Sequence, residues 1–127
     1  DVFTSTDDGA TWSAVGIKNV FPYTYPRGIM IHPGDPKTVF LTIGDSTPGR
    51  TGTVMRSQDT GKTWENLSLS NPPNSAMWVV NVQPANPQIA FAGSRYGHLY
   101  RSDDGGNSWN KQWREFSEIS SVLSIPG

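Results

Sequence analysis

The chain has 127 residues and a formal net charge of −1 at pH 7, so its net charge gives no electrostatic attraction to nucleic acid or to an anionic membrane. No apolar run approaches the ~20 residues that a membrane helix needs, and the absence of cysteine excludes disulfides, thiolate metal sites and cysteine nucleophiles. A low charged fraction of 17%, with 13 glycines and 10 prolines, is typical of an all-β protein with many turns.

An eight-residue turn occurs three times, beginning at Ser5, Ser57 and Ser102. Ser and Asp side chains can accept hydrogen bonds from nearby backbone N–H groups, and Gly supplies a restricted dihedral angle. A Trp at the end fits the start of a half-buried strand. The residues that share offsets are Ser5, Asp7, Gly9 and Trp12; Ser57, Asp59, Gly61 and Trp64; and Ser102, Asp104, Gly106 and Trp109. We predict that these acidic residues are structural rather than catalytic.

The spacing of the turns sets the repeat length. Their first serines are 52 and then 45 residues apart, a period of the size that propeller blades and solenoid repeats have. A propeller blade holds four short strands, here labelled A to D from the innermost strand outward. The sequence therefore predicts an all-β propeller segment with no helices.

In chain order, residues 1–18 predict only strands C and D of a first blade. Residues 19–70 predict a complete second blade. Its strands A to D are predicted over 28–32, 38–43, 52–56 and 63–67. The aromatic, proline-rich stretch 20–26 is predicted to be a loop, because proline is disfavoured in a central strand.

Residues 71–113 predict a third blade. Its strands A to D are predicted over 78–83, 89–93, 97–101 and 108–112. The end of the chain, 114–127, predicts the first strand of a further blade. Because a blade buries its faces only against neighbouring blades, this count leaves apolar faces open. Either the chain is a piece of a longer propeller and its partners are the missing blades, or several copies close a ring as a homo-oligomer.

The three turns match the pattern S-x-D-x-G-x-T-W, and the chain resembles the Asp-box (bacterial neuraminidase repeat) β-propeller proteins, a sialidase- and glycoside-hydrolase-like superfamily. These propellers include hydrolases, receptors and assembly factors, so the resemblance implies an architecture more than an activity. It implies that the loops between strands D and A, and between B and C, surround the mouth of the central channel. The Asp-boxes are expected on the opposite face.

That topology assigns a set of aromatic and basic side chains to the mouth as ligand-binding candidates. They are Tyr23, Tyr25, Arg27, Trp78, Arg95 and Tyr96. Aromatic faces beside hydrogen-bonding groups suit sugar rings, so a glycan is one expected ligand. In the alternative interpretation, Trp78 and Tyr25 pack between blades and the charged groups are solvated.

Three carboxylates are also assigned to the mouth as catalytic candidates: Asp45, Glu115 and Glu118. Glycoside hydrolysis needs two carboxyl groups about 5–9.5 Å apart across a cleft, and the topology allows Asp45 with either glutamate. The simpler interpretation is that Asp45 caps its own loop. Sialidases also carry a Phe/Tyr-Arg-Ile-Pro motif, from which the stretch 25–29 departs.

No metal site or cofactor is predicted, since His32 and His98 have no second ligand at metal-binding spacing. The sequence favours a binding or scaffold module with a glycan or protein ligand at the mouth, without a nucleic-acid or membrane partner. The alternative is part of a glycoside hydrolase, sialidase-like or xyloglucanase-like, that needs additional blades or subunits. The compartment is not predicted, although the resemblance slightly favours a secreted or periplasmic protein.

Overall fold

The structure is a computed structural model that describes residues 1–126, and it confirms an all-β propeller segment. A two-stranded sheet joins β1 (Phe3–Thr4) and β2 (Ser13–Ala14). The next sheet contains, in order, β3 (Tyr25–Ile31), β4 (Val39–Gly44), β5 (Gly52–Ser57) and β6 (Glu65–Leu67). The last contains β7 (Met77–Val82), β8 (Ala90–Ser94), β9 (Leu99–Ser102) and β10 (Asn110–Lys111). All neighbouring strands within the three sheets are antiparallel.

The element order is C-D, A-B-C-D and A-B-C-D, and one 3₁₀ turn at Ile17–Asn19 is the only helical element in residues 1–126. Strand β3 begins three residues earlier than predicted and contains Pro26. The reason is that β3 lies at the edge of its sheet, where a residue without an N–H group is tolerated. Among these residues no helix is long and apolar enough to cross a membrane.

The innermost strands of the second and third blades carry equivalent irregularities. The pairing of β3 with β4 shifts between Pro26 and Ile29, and the pairing of β7 with β8 shifts between Met77 and Val79. Such bulges leave an extra residue on one strand and change the direction of its side chains. They place Arg27 and Trp78 at corresponding points of adjacent blades.

The larger core lies between the second and third blades. Its buried members are Phe40, Val54, Leu67, Met77, Val80, Val82, Ala90, Ala92, Tyr100 and Trp109. The smaller core lies between the first and second blades. It combines Ile17 and Phe21 from the connection after β2 with Leu41, Ile43 and Met55 of the second blade. Each junction between blades therefore has its own apolar core, as expected for a repeat architecture.

The two edges of the sheets carry different loops. On one side, the boxes contact the A–B turns: Thr60 N–H donates to the Lys37 carbonyl at 3.0 Å, and Gly105 N–H to the Gln88 carbonyl at 2.9 Å. On the other side, the D–A connection of the third blade contacts the B–C loop of the second, where Ala76 N–H donates to the Pro48 carbonyl at 2.8 Å. The second side holds the loops that the resemblance assigns to the mouth.

The C-terminal segment lies on the third blade as β7 lies on the second. Phe116 N–H donates to the Gly97 carbonyl at 3.0 Å, and Ile119 N–H to the Arg95 carbonyl at 3.2 Å. No strand is assigned within 112–126, because strand assignment requires a ladder partner. The strand predicted over 114–127 stays a prediction, and Gly127 lies outside the described residues.

Candidate functional site

The box carboxylates accept hydrogen bonds from residues of their own turns. In the second box, Asp59 accepts hydrogen bonds from the Ser57 hydroxyl at 2.8 Å, from Thr63 N–H at 2.8 Å and from the Thr63 hydroxyl. The Trp64 indole N–H donates to the Gly61 carbonyl at 3.0 Å. The boxes that begin at Ser5 and Ser102 repeat the same pattern.

These bonds stabilise the ionised form of the box carboxylates. The hydroxyl of Thr63 contributes most to lowering the pKa of Asp59 to about 2, and the hydroxyl of Ser108 does the same for Asp104. A carboxyl with such a low pKa has no proton to donate near neutral pH, and its oxygens are already used. The arrangement suits a structural cap better than an acid–base catalyst.

Among the residues predicted at the mouth, Trp78 is contacted by two guanidinium groups. The guanidinium carbon of Arg27 lies 3.8 Å from the centroid of the Trp78 ring, and that of Arg95 lies 5.1 Å from it. Arg95 Nη1 donates to Glu118 Oε2 at 3.0 Å. Four of the residues predicted at the mouth, from β3, β7, the loop after β8 and the C-terminal segment, therefore meet in one stack. Cation–π contacts of this kind hold the half-buried Trp78 in place.

A polar network around Asn74 was not predicted from the sequence. The Asn74 side-chain oxygen accepts from the hydroxyls of Ser94 at 2.8 Å and Ser75 at 3.2 Å, and its amide donates to the Tyr96 carbonyl at 2.7 Å. Tyr96 N–H donates to the Ser75 hydroxyl at 2.8 Å. These bonds tie the D–A connection to the B–C loop of the third blade, and they fix the backbone of Tyr96. The only sequence signal is a run of small polar residues before β7.

The three tyrosine candidates have different environments. Tyr23 is half-buried and packs against the smaller core, and Tyr25 begins β3 opposite Gly44. Tyr96 is exposed, at 43% of its surface. Of the three, Tyr96 is the most exposed.

Asp45 is engaged by the loop that follows it. Its Oδ1 atom accepts from Arg50 N–H at 2.9 Å, Ser46 N–H at 3.0 Å and Thr51 N–H at 3.4 Å. The Arg50 N–H contributes most to lowering the pKa of the Asp45 carboxyl. Within the described residues no hydrogen bond or ion pair joins Asp45 to Glu115 or Glu118.

Glu115 belongs to a separate group at the end of the third blade. Its Oε1 atom lies 2.7 Å from Lys111 Nζ and 3.4 Å from His98 Nε2. The hydrogen bond from Lys111 is the main cause of the lowered pKa of Glu115, whereas burial lowers the pKa of His98. Nδ1 of His98 is buried without a hydrogen-bond partner. No group of three or more His or acidic residues that could hold a metal occurs within residues 1–126.

Antiparallel sheets with capped C–D turns and an apolar core at each junction define this chain as a segment of a β-propeller. The family model described as Sortilin, neurotensin receptor 3 (Sortilin-Vps10) matches residues 1–122, so the chain belongs to this family.

Among curated proteins, the chain is 35% identical over 89 residues to a xyloglucanase of Paenibacillus, an alignment that covers 62% of this chain and 9% of that protein. It is 32% identical over 102 residues to the xyloglucanase Xgh74A of Acetivibrio thermocellus, covering 72% of this chain and 12% of that protein. The chain thus spans about a tenth of the length of these relatives. The crystal structure of an ancestral GH74 enzyme superposes with a TM-score of 0.68 over 87% of this chain and 15% of that one, at 20% identity, which shows a shared fold.

Proposed function

We propose that this chain is part of a propeller glycoside hydrolase of the xyloglucanase type, whose mouth face supplies one wall of the glycan-binding cleft. The observation that carries the proposal is the similarity to two proteins named xyloglucanases, in one case over 72% of the chain. This similarity favours the hydrolase alternative over the binding or scaffold module that the sequence favours. It also favours a xyloglucanase-like over a sialidase-like enzyme.

The mouth supports a role in holding a neutral polysaccharide. Xyloglucan carries hydroxyl groups and flat sugar faces, which aromatic rings and fixed polar groups recognise together. Tyr96 offers an exposed ring, and Arg95, the residue before it, belongs to the stack of guanidinium groups around Trp78. The hydrogen bonds of Asn74 and Ser75 fix the backbone that carries Tyr96. A rigid aromatic edge of this kind suits a sugar-binding subsite.

The carboxylates support a need for further blades or subunits. A glycosidase requires a general acid with a raised pKa and a second carboxylate with an ordinary or lowered one. The pKa of Asp45 and that of Glu115 are both lowered, by backbone N–H groups and by Lys111 respectively. Neither group suits the acid role, and Glu118 is held by Arg95 at 3.0 Å. We infer that the general acid comes from another part of the complete propeller.

The test is whether the chain binds xyloglucan selectively. In affinity electrophoresis, we expect xyloglucan to retard the wild-type chain more than dextran at the same concentration. Tyr96→Ala and Trp78→Ala should each weaken the affinity for xyloglucan, as derived from this retardation, about tenfold or more. The reason is that stacking on a single aromatic ring is worth roughly 1–3 kcal/mol. Trp12→Ala removes a ring that is 63% exposed and belongs to the first box, on the opposite side of the sheets from these loops, so it serves as the matched control.

Two outcomes would contradict the proposal. One is equal retardation by xyloglucan and dextran. The other is retardation by xyloglucan that falls as much in Trp12→Ala as in Tyr96→Ala. Release of reducing ends by the chain itself, lost in Glu118→Gln, would instead contradict the inference that the general acid comes from elsewhere.

A further inference from the structure

A cleft of about 250 Å³ lies on the side of the sheets that carries the D–A and B–C loops. One wall is formed by the end of β6 and the residues after it, 66–69, and another by the start of β5 and the residue before it, 51–53. Tyr23 comes from the connection before β3, and Pro72 and Pro73 come from the connection before β7. All walls of the cleft therefore belong to the second blade and to the two connections that flank it.

The connection from the second to the third blade is fixed by hydrogen bonds immediately before its two prolines. Ser70 N–H donates to the Trp109 carbonyl at 3.1 Å, and Lys111 N–H donates to the Ser70 hydroxyl at 2.9 Å. The Tyr100 hydroxyl donates to the Asn71 carbonyl at 2.7 Å. Because these bonds hold the connection on the edge of the third blade, this wall of the cleft is already formed before any ligand binds, as is usual for small-molecule sites.

The strand wall of the cleft contains a buried hydroxyl that holds an exposed amide. Thr53 is 7% exposed, and its hydroxyl donates to the side-chain oxygen of Asn66 at 2.7 Å. The bond occupies the oxygen end of this amide. The nitrogen end has no hydrogen-bond partner within residues 1–126, so it keeps two N–H donors for a ligand.

Three hydroxyl groups at the cleft also make no hydrogen bond to any of the described residues. They belong to Tyr23, Thr51 and Ser68. The Ser68 side chain is exposed, and the Tyr23 ring is half-buried because it packs against the smaller core. Since a hydroxyl can both donate and accept, these groups can bond any hydroxyl of a ligand.

The chemistry of the walls selects a neutral ligand that is rich in hydroxyl groups. Within the part of the chain that the structure describes, none of the residues lining the cleft has a charged side chain, so an ion would lose hydration without gaining a counter-charge. The Tyr23 ring and the two prolines supply apolar surface, and the amide and hydroxyl groups supply a few directed bonds. The volume lies just below the ~300 Å³ at which small-molecule sites begin, which suits a single sugar ring.

We propose that this cleft is a saccharide subsite that takes one neutral pyranose ring of a polysaccharide. The C–H face of the sugar packs on Tyr23, and its hydroxyl groups bond the Asn66 amide and the Ser68 hydroxyl. The cleft shares no residue with the stack around Trp78, so it is a second site on the same side of the sheets. The identity of the polymer rests on the proposed function, whereas the neutral ring follows from the cleft alone.

The test is a titration of the isotope-labelled chain followed by amide chemical shifts. The probes are cellotetraose, an unbranched glucan, and a xyloglucan heptasaccharide, which carries xylose branches on the same backbone. We expect the amide signals of Ser68 and Leu69 to shift and to saturate. Shifts with both probes assign the bound ring to the backbone, and shifts with the heptasaccharide alone assign it to a branch. Unchanged signals of both amides with both probes would overturn the proposal.

Two variants each remove a single oxygen atom from the cleft. Tyr23→Phe keeps the ring that packs against the smaller core, and Ser68→Ala changes an exposed side chain, so both should fold like the wild type. Each should weaken the affinity about twofold to tenfold, the usual effect of losing one hydrogen bond between neutral groups. Ser13→Ala removes an exposed hydroxyl from β2, outside the cleft, and should leave the affinity unchanged. An affinity that stays the same in both cleft variants, or that falls equally in Ser13→Ala, would contradict the proposal.

The same titration separates this proposal from the proposed function. The amide of Ser68 is a probe of the cleft, and the amide of Tyr96 is a probe of the mouth. Shifts at Tyr96 without shifts at Ser68 would overturn the cleft proposal and leave the proposed function standing. Shifts at Ser68 without shifts at Tyr96 would support the cleft and count against the mouth as a glycan-binding wall.

Discussion

At the scale of single residues, the box shows that one side chain can have a constant local role and a variable environment. Asp7, Asp59 and Asp104 each accept the same set of bonds from Ser and Thr or Ser of their own turn. None of these bonds depends on another blade. The cap is therefore a property of eight residues, and it forms wherever the turn occurs.

Asp59→Ala should lower the melting temperature by several degrees at pH 7, as the loss of a side-chain cap does elsewhere. The folded-state pKa of Asp59, about 2, lies below its ordinary value of 3.8. The stabilisation is therefore complete above pH 4 and is lost as the pH falls through the folded-state value. The difference in melting temperature between wild type and variant should shrink from pH 4 toward pH 2.

The matched control is Gln58→Ala, which removes an exposed side chain from the same box. It should leave the melting temperature nearly unchanged, because surface substitutions away from such features have small effects. If Asp59→Ala melted like wild type at pH 7, or if its deficit did not depend on pH, the structural interpretation of the box would fail.

At the scale of elements, the arginine before the second and third boxes shows how a repeated residue takes a different partner when its neighbour changes. Arg56 is 8% exposed and bridges Glu65 of β6 at 2.7 Å and Asn107 of the next blade at 2.8 Å. Arg101 pairs with Asp103 on its own turn. The first arginine joins two blades, and the second joins only neighbours along the chain.

Arg56→Met should destabilise the chain by about 1.5–3 kcal/mol, the usual value of a hydrogen bond to a charged group, because methionine keeps the stem but loses both partners. Arg101→Met should cost less than about 1 kcal/mol, since exposed ion pairs contribute little. Urea denaturation of both variants measures the difference. Equal costs at the two positions would show that the bond to Asn107 does not hold the blades together.

The sequence predicts strands better than it predicts how blades meet. Strands β4 and β5 begin within one residue of the predicted positions, because the box and the glycines mark their ends. The start of β3 at Tyr25 was missed, since proline is excluded from central strands but not from an edge strand, and edge position is a property of the whole sheet.

The candidate site could also be predicted only in part. The mouth loops follow from the repeat and the resemblance, so Arg27, Trp78, Arg95 and Glu118 could be grouped before the structure was known. The order in which these side chains stack could not be predicted, because it depends on the bulges that place Arg27 and Trp78 opposite each other. The network of Asn74 is also invisible in the sequence, since it joins residues about 20 positions apart that no repeat or motif connects.

At the scale of the whole molecule, stability is divided between two junctions. The core around Ile17 and Phe21 holds the first blade, and the core around Phe40 and Trp109 holds the second and third blades together. In repeat proteins the stability is roughly a sum of repeat and junction terms, so parts can open separately. A change at the first junction should therefore leave the second junction intact.

Phe21→Ala tests this division. Phe21 is 7% exposed and packs on Trp64, and truncating a buried Phe typically costs about 3–5 kcal/mol. In hydrogen exchange, amides of the first blade such as Val15, whose N–H donates to the Val2 carbonyl at 2.8 Å, should lose protection by about a hundredfold or more. Amides of β8 should keep their protection.

The control is Val20→Ala, at a side chain that is 50% exposed, which should change the protection of neither region. Equal loss of protection in β8 would mean that the chain opens as one cooperative unit, and the two junctions would then not be separable.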